Sequence, residues 1–201
     1  IAAIKALHFA MRKPDAFVLF AAASYNQAAE LLRCFRKYAA KLLGTRSAQG
    51  AIHLPNGSRI LAVPQSPATV RCYSAVDVIV IDEAAFVVDE MFDALSPMLA
   101  TSNGQLWLLS SANGTTGEFY KTWTGSAKNW HKYKVTAADC PRISQHFLEA
   151  EKETKGDMIF RREYMCEFTA GAGGTINPAD ILNAFRGNYP AARFNDRKDK
   201  E

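Results

Sequence analysis

The run Val78-Ile-Val-Ile81 constrains this chain more than any other segment. Four consecutive β-branched apolar residues, with no polar alternation, fit a strand covered on both faces. Two acids, Asp82 and Glu83, follow at once. A doubly covered strand belongs to a sheet sandwiched between helices. Such a sheet brings the carboxyl ends of its strands to one ligand-binding edge.

The flanking patterns agree. Phe17 to Ala23 and Gln105 to Leu109 read as further buried strands. Ile1, Ile4, Leu7, His8 and Met11 share one helical face, and Pro14 ends that run. Ser24 is placed to cap a helix from Tyr25 to about Leu43, with Gly44 as its stop. Ala51–Leu54 and Arg59–Val63 flank the turn cluster Pro55-Asn-Gly-Ser58 and predict a hairpin, closed by Pro64 and Pro67. Helical patterns follow from about Asp89 to Leu99 and from Gly114 to Trp123, and Trp130 to Val135 reads as one more strand. Short strands alternating with helices predict an α/β domain with a mostly parallel sheet.

From about Ser144 the texture changes to two helical stretches, to about Glu153 and from Asp157 to Phe168. Gly171-Ala-Gly-Gly174 has linker composition, Pro178 to Arg186 fits a further helix, and Asn195 to Glu201 is a charged tail. The expected division is 1–143 for the α/β core, 144–186 for a helical extension and 187–201 for a flexible tail.

With 201 residues, 48% of them hydrophobic, the chain can build one substantial core and is too apolar for a disordered protein. No apolar run approaches the roughly 20 residues needed to span a bilayer. The N-terminal charges follow the apolar stretch, the wrong order for a signal peptide, so a cytoplasmic protein is expected. Cys34, Cys72, Cys140 and Cys166 show no C-x-x-C spacing and read as reduced packing residues. The net charge of +4 is compatible with a nucleic-acid partner without requiring one.

The chemistry gathers at the strand ends. A buried strand ending in Asp82-Glu83 is a Walker B pattern: the first acid is suited to hold Mg²⁺ through water, the second to polarise an attacking water. The next strand ends in Ser110-Ser-Ala-Asn-Gly114. Hydroxyl and amide groups there suit a sensor that bonds a phosphate in one nucleotide state and releases it in another. Arg33, Arg36, Lys37 and Lys41 lie near one helix face and are weak candidates for DNA phosphate contact; a solvated helix face explains them as well. Arg71 is a candidate nucleotide sensor, with a structural ion pair as the alternative. His8, His53, His131 and His146 show no ligand spacing. Asp89, Glu90 and Asp93 suit the start of a helix through its dipole.

Asp82-Glu83-Ala-Ala-Phe86, Leu95-Ser-Pro97-Met-Leu-Ala100 and Ser110-Ser-Ala-Asn-Gly114, followed by Phe119-Tyr120 and Trp123, resemble the ATPase domain of phage terminase large subunits. Ala21-Ala-Ala-Ser-Tyr-Asn-Gln-Ala-Ala-Glu30, Arg71-Cys-Tyr-Ser-Ala75 and Arg162-Glu-Tyr-Met-Cys-Glu-Phe168 extend the likeness over roughly residues 1 to 186. The resemblance implies a RecA-like P-loop NTPase core that couples ATP hydrolysis to DNA translocation into a prohead. It implies ATP and Mg²⁺ as cofactors, with Glu83 as catalytic carboxylate and Asp82 as the metal residue. Ser110, Ser111, Ala112 and Asn113 would couple nucleotide state to movement. The implied partners are double-stranded DNA, the portal, the small terminase subunit and further copies of the chain, in the cytoplasm of a bacterial host.

Three departures qualify it. The Walker A pattern G-x-x-x-x-G-K-[ST] occurs nowhere in the chain, so the 201 residues alone are expected to bind Mg-ATP very weakly, as if the chain began inside the helix that follows a P-loop. Ala112 and Cys72 stand where the family usually has Pro and Gly. About 15 residues follow Arg186, too few for the family's metal-dependent nuclease domain. Two other readings stay open at this stage: a non-hydrolysing remnant that binds DNA or protein, and a helicase-like ATPase fragment.

Overall fold

Successive side chains of a strand point to opposite faces of its sheet, and in β1 (Phe17–Ala22) both faces are apolar. All six residues are buried. A computed structural model of the chain shows what covers them. It describes residues 1–22, 24–43, 46–48, 50–63 and 70–169, while the side chains of residues 25 and 41–48 lie outside that description. The chain divides into two compact units, Ile1–Thr169 and Ala170–Glu201. The linker expected at Gly171–Gly174, the helix expected at Pro178–Arg186 and the tail expected at 187–201 fall outside the described residues, as do Pro64, Pro67 and Gly44.

Among the described residues six strands form one sheet, in the order β2-β3-β4-β1-β5-β6. They are β1, β2 (Arg46–Ala48), β3 (Ala51–His53), β4 (Arg59–Ala62), β5 (Val78–Asp82) and β6 (Gln105–Leu108). β4, β1, β5 and β6 run parallel, while β2 and β3 attach antiparallel at one side. The expected α/β class with a mostly parallel sheet is therefore present, and the hairpin around Asn56-Gly57 forms as β3 and β4. At Gly57 the backbone turns through φ +85° against Asp15, where a Cβ would lie 2.0 Å from the carboxylate oxygen.

Two cores fill the two sides. On one, Val18, Phe20, Val78 and Val80 pack with Ala6, Leu7 and Ala10 of α1 (Ala2–Arg12) and Leu32, Phe35 and Ala39 of α2 (Tyr25–Leu43). On the other, Leu19, Ala21, Ile79 and Ile81 pack with Met91, Phe92 and Leu95 of α3 (Asp89–Leu95) and with Met98 of the following 3-10 turn. Among the described residues the remaining α-helices are α4 (Gly117–Thr124), α5 (Gln145–Lys155) and α6 (Asp157–Met165). Ser144 caps α5 by accepting the Phe147 N–H at 3.2 Å.

Trp130 to Val135 is the exception: it is not a strand. Its alternation is real, but among the described residues no strand runs alongside it, and Tyr133 and Val135 are 81% and 68% exposed. Lys132 instead spans to the end of α4, where its Nζ donates to the Trp123 and Gly125 carbonyls, both at 2.7 Å. That cation satisfies carbonyls a helix C-terminus leaves open.

The sheet is pinned at its amino end by Asp77. This acid is buried, pairs with Lys13 and accepts the Phe17 N–H at 2.8 Å, joining the end of α1 to the starts of β1 and β5. Lys13 is half exposed, so the charge pair itself contributes little. The Phe17 amide has no access to water and needs the carboxylate. Asp77→Ala is therefore expected to lower the unfolding free energy by about 1–3 kcal/mol. Asp77→Asn, which keeps an oxygen in place, is expected to lose less. Urea titrations of both variants check this, and equal midpoints for Asp77→Ala and the parent chain would refute it.

Candidate active site

The register of the parallel strands decides which side chains meet. Ala22 stands beside Asp82, and Ile81 beside Leu108. The carboxyl ends of β1, β5 and β6 therefore lie level, and three segments converge there: the first turn of α2, the acids Asp82 and Glu83, and the loop Ser110–Asn113. The ladder continues one step past the strands, with Leu109 N donating to Ile81 O at 2.9 Å and Ala84 N to Leu109 O at 3.0 Å.

Glu83 leaves the strand in a left-handed conformation, φ 52° and ψ 42°. This region disfavours side chains with a Cβ and costs about 1–2 kcal/mol. It turns the chain sharply into the 3-10 helix Ala84–Phe86. The loop after β6 holds that turn from outside. Ser110 Oγ accepts the Ala85 N–H at 3.2 Å, and Asn113 Nδ2 donates to Ala85 O at 3.4 Å. The two polar residues thus grip both backbone groups of Ala85. Ala112 is buried and packs. At the far end of the same loop, Asn113 O accepts the Thr169 N–H at 3.3 Å.

Gln27, Glu83, Phe86, Ser111 and Glu163 line an open cleft of about 410 Å³. The Glu83 carboxyl is pushed above the usual range, first by partial burial, then by the charges of Asp82 and Glu163; a hydrogen bond from Ser110 opposes the rise. Among the described residues the ion pairs lie elsewhere, so no lysine or arginine offsets Asp82 or Glu83. Just beyond the turn, Asp89 accepts the Glu118 N–H at 2.7 Å and pairs with Lys121 at 3.1 Å, which holds its carboxyl below the usual range. Asp89 thus joins the starts of α3 and α4.

Asp82, Glu83, Ser110, Ser111 and Asn113 are brought together. Arg71 is exposed and stands two residues before Tyr73, whose ring meets Phe17 at the other end of β1, 5.8 Å between centroids. Of the basic residues on α2, Arg33 is exposed and bonded to Glu30, Arg36 is half-buried and Lys37 is exposed. The side chain of Lys41 lies outside the described residues. Gln27 and Glu163 join the cleft from α2 and α6. Both sit inside phrases quoted above, but nothing local to either residue tells that it faces Glu83.

The family described as "Terminase large subunit, T4likevirus-type, N-terminal" matches residues 1–183. The chain belongs to this terminase large-subunit family. Among solved structures, the terminase chain shares its fold with the large terminase ATPase domain of Thermus phage P74-26. That match has a TM-score of 0.66 and 17% identity, over 84% of this chain and 82% of that one. It is also similar to the large terminase of a second thermophilic bacteriophage, in complex with ADP. There the TM-score is 0.71 and the identity 11%, over 83% of this chain. The terminase chain spans 44% of that second phage's protein. The same phage protein in complex with ATP-gamma-S gives a TM-score of 0.69 at 11% identity, covering 83% of this chain and 43% of that one. Among curated proteins there is no match.

The environment of Glu83 has a measurable consequence. A carboxyl raised in the folded state binds its proton more tightly there than in the unfolded chain. Its ionisation therefore weakens the fold as pH rises from the ordinary glutamate range through the raised value. Glu83→Gln removes that loss. The variant is expected to gain thermal stability relative to the parent at pH 7.5, and this gain is expected to vanish near pH 4. A pH-independent difference in melting temperature would contradict it.

Proposed function

We propose that this chain forms the nucleotide-hydrolysing core of a DNA-packaging motor, with Glu83 as its catalytic carboxylate. The observation that carries the reading is the convergence at the carboxyl end of the sheet: Asp82, Glu83 and the Ser110–Asn113 loop on one edge, with no cation offsetting the acids among the described residues. A carboxylate in an acidic, half-buried place is a stronger base than one in water, and so is better able to take a proton from an attacking water.

The site's donors fit ATP and Mg²⁺. Magnesium is typically held by one or two carboxylates together with water and substrate phosphates. Asp82, half-buried and offset by no cation among the described residues, is suited to that role through water. When bound, the ion supplies charge neutralisation on the phosphoryl oxygens. Ser111 faces the same cleft with a hydroxyl for a phosphate or water oxygen. Ser110 and Asn113 grip the Glu83 turn, so a displacement of their loop moves the base and a displacement of the base moves their loop. This is the coupling role assigned to Ser110–Asn113. The same loop bonds Thr169, so movement there reaches the end of the first compact unit.

The remaining roles rest on the family. Double-stranded DNA is the substrate to be moved, and the portal, the small terminase subunit and further copies of this chain are its partners. Lys37, exposed on α2, is one cation available to DNA phosphates; Arg71, exposed near the opposite end of β1 from Glu83, does not line this chain's cleft.

A polypeptide carrying a Walker A segment ahead of Ile1 is expected to hydrolyse ATP. Glu83→Gln in it is expected to reduce kcat at least about a hundredfold, with nucleotide affinity changed only a few fold. Unaltered turnover in Glu83→Gln would remove the catalytic assignment.

A further inference from the structure

We infer that Gln27 is a positioning residue for hydrolysis: its carboxamide nitrogen, in the cleft that Glu83 lines, orients the oxygen on which Glu83 acts. This rests on the reading of Glu83 as catalytic carboxylate. The register of β1 against β5 sets the start of α2 beside the acid pair, and Gln27 occupies the third position of that helix. Its backbone N–H donates to Ser24 Oγ at 3.3 Å, and the same hydroxyl donates to Gln27 Oε1 at 3.0 Å.

That second bond is the informative one. In the usual reciprocal cap, the third side chain reaches back to the backbone N–H of the capping residue. Here it bonds the capping hydroxyl, and the glutamine side chain becomes a wall of the cleft. The tether occupies the carboxamide oxygen, which leaves Nε2 with its two hydrogens as the end that can serve the cleft. The other polar lining groups are the carboxylates Glu83 and Glu163 and the hydroxyl of Ser111. Ionised carboxylates only accept, so the neutral donors of the lining are the Ser111 hydroxyl, with one hydrogen, and the Gln27 amide, with two. A lysine in its place would ion-pair with the base. An amide donates to a water or phosphoryl oxygen and leaves the base uncompensated.

The test uses the polypeptide with a Walker A segment ahead of Ile1, assayed for steady-state ATP hydrolysis. Gln27→Glu keeps an oxygen for the Ser24 hydroxyl, and so keeps the cap, but replaces the donor with an acceptor. It is expected to lower kcat at least tenfold, with KM for ATP within about twofold and the melting temperature unchanged. Ser24→Ala frees the amide without removing it and is expected to lower kcat several-fold. Gln27→Asn, which retains the amide one methylene short, is expected to recover part of the loss. If Gln27→Glu turns over at the parental kcat, or if kcat falls only in step with a lower melting temperature, the inference is overturned while Glu83 keeps its role. If Glu83→Gln itself retains full activity, or the parent binds ATP without hydrolysing it, the catalytic reading falls and this one with it.

Discussion

Five residue pairs, from Val18 beside Val78 to Ala22 beside Asp82, hold β1 parallel to β5, and the placement of everything else follows from that register. Parallel pairing sends both strands in one direction, so their ends gather different chemistry at opposite edges of the sheet. At the amino end, Asp77 spends its charge on structure, satisfying the Phe17 amide and meeting Lys13. At the carboxyl end, Asp82 and Glu83 remain uncompensated by cations among the described residues. The two ends of one strand thus carry acids with opposite fates. A one-residue slip of β5 would reverse the faces of Ile79 and Ile81 and exchange the two cores. The hydrophobic packing therefore guards the site geometry directly.

The site is held by backbone more than by side chains. Ala84 and Ala85 have no polar side-chain atoms, yet their amides and the Ala85 carbonyl are the points gripped by Leu109, Ser110 and Asn113. The two motifs that give the region its character are in contact, so neither can shift alone. Proteins that transmit a chemical event need such contact: two discrete arrangements of a shared element that both ends can bias.

Much of this was legible in the residues, for identifiable reasons. Strands β1 and β5 are short apolar runs because helices cover both sides, and α2 shows its cap, its period and its length; β6, expected to be buried, lies at the sheet edge, with Gln105 exposed and Leu106 to Leu108 half-buried. The acid pair and the Ser110–Asn113 loop are local motifs, each readable within a few residues. β2 was not legible: it spans Arg46 to Ala48, too short and too polar to show a period. Trp130 to Val135 misled in the opposite sense, since alternation records which faces a segment can present and not whether a neighbour exists to pair with. Gln27 and Glu163 share the cleft only because α2 and α6 return to the same edge. That juxtaposition is a property of the topology and leaves no mark in local sequence.

The left-handed turn at Glu83 separates what the fold prefers from what the proposed chemistry would require. A glycine there would meet no Cβ penalty and would relax the turn. It would also remove the carboxylate. Glutamate gains nothing from this backbone, so selection for robustness alone would replace it, and the residue can persist only where its work outweighs the strain. On the catalytic role proposed for Glu83, stability and activity pull in opposite directions at this single position. A library of variants sorted first for thermal tolerance and then for turnover would rank substitutions at residue 83 in reverse order.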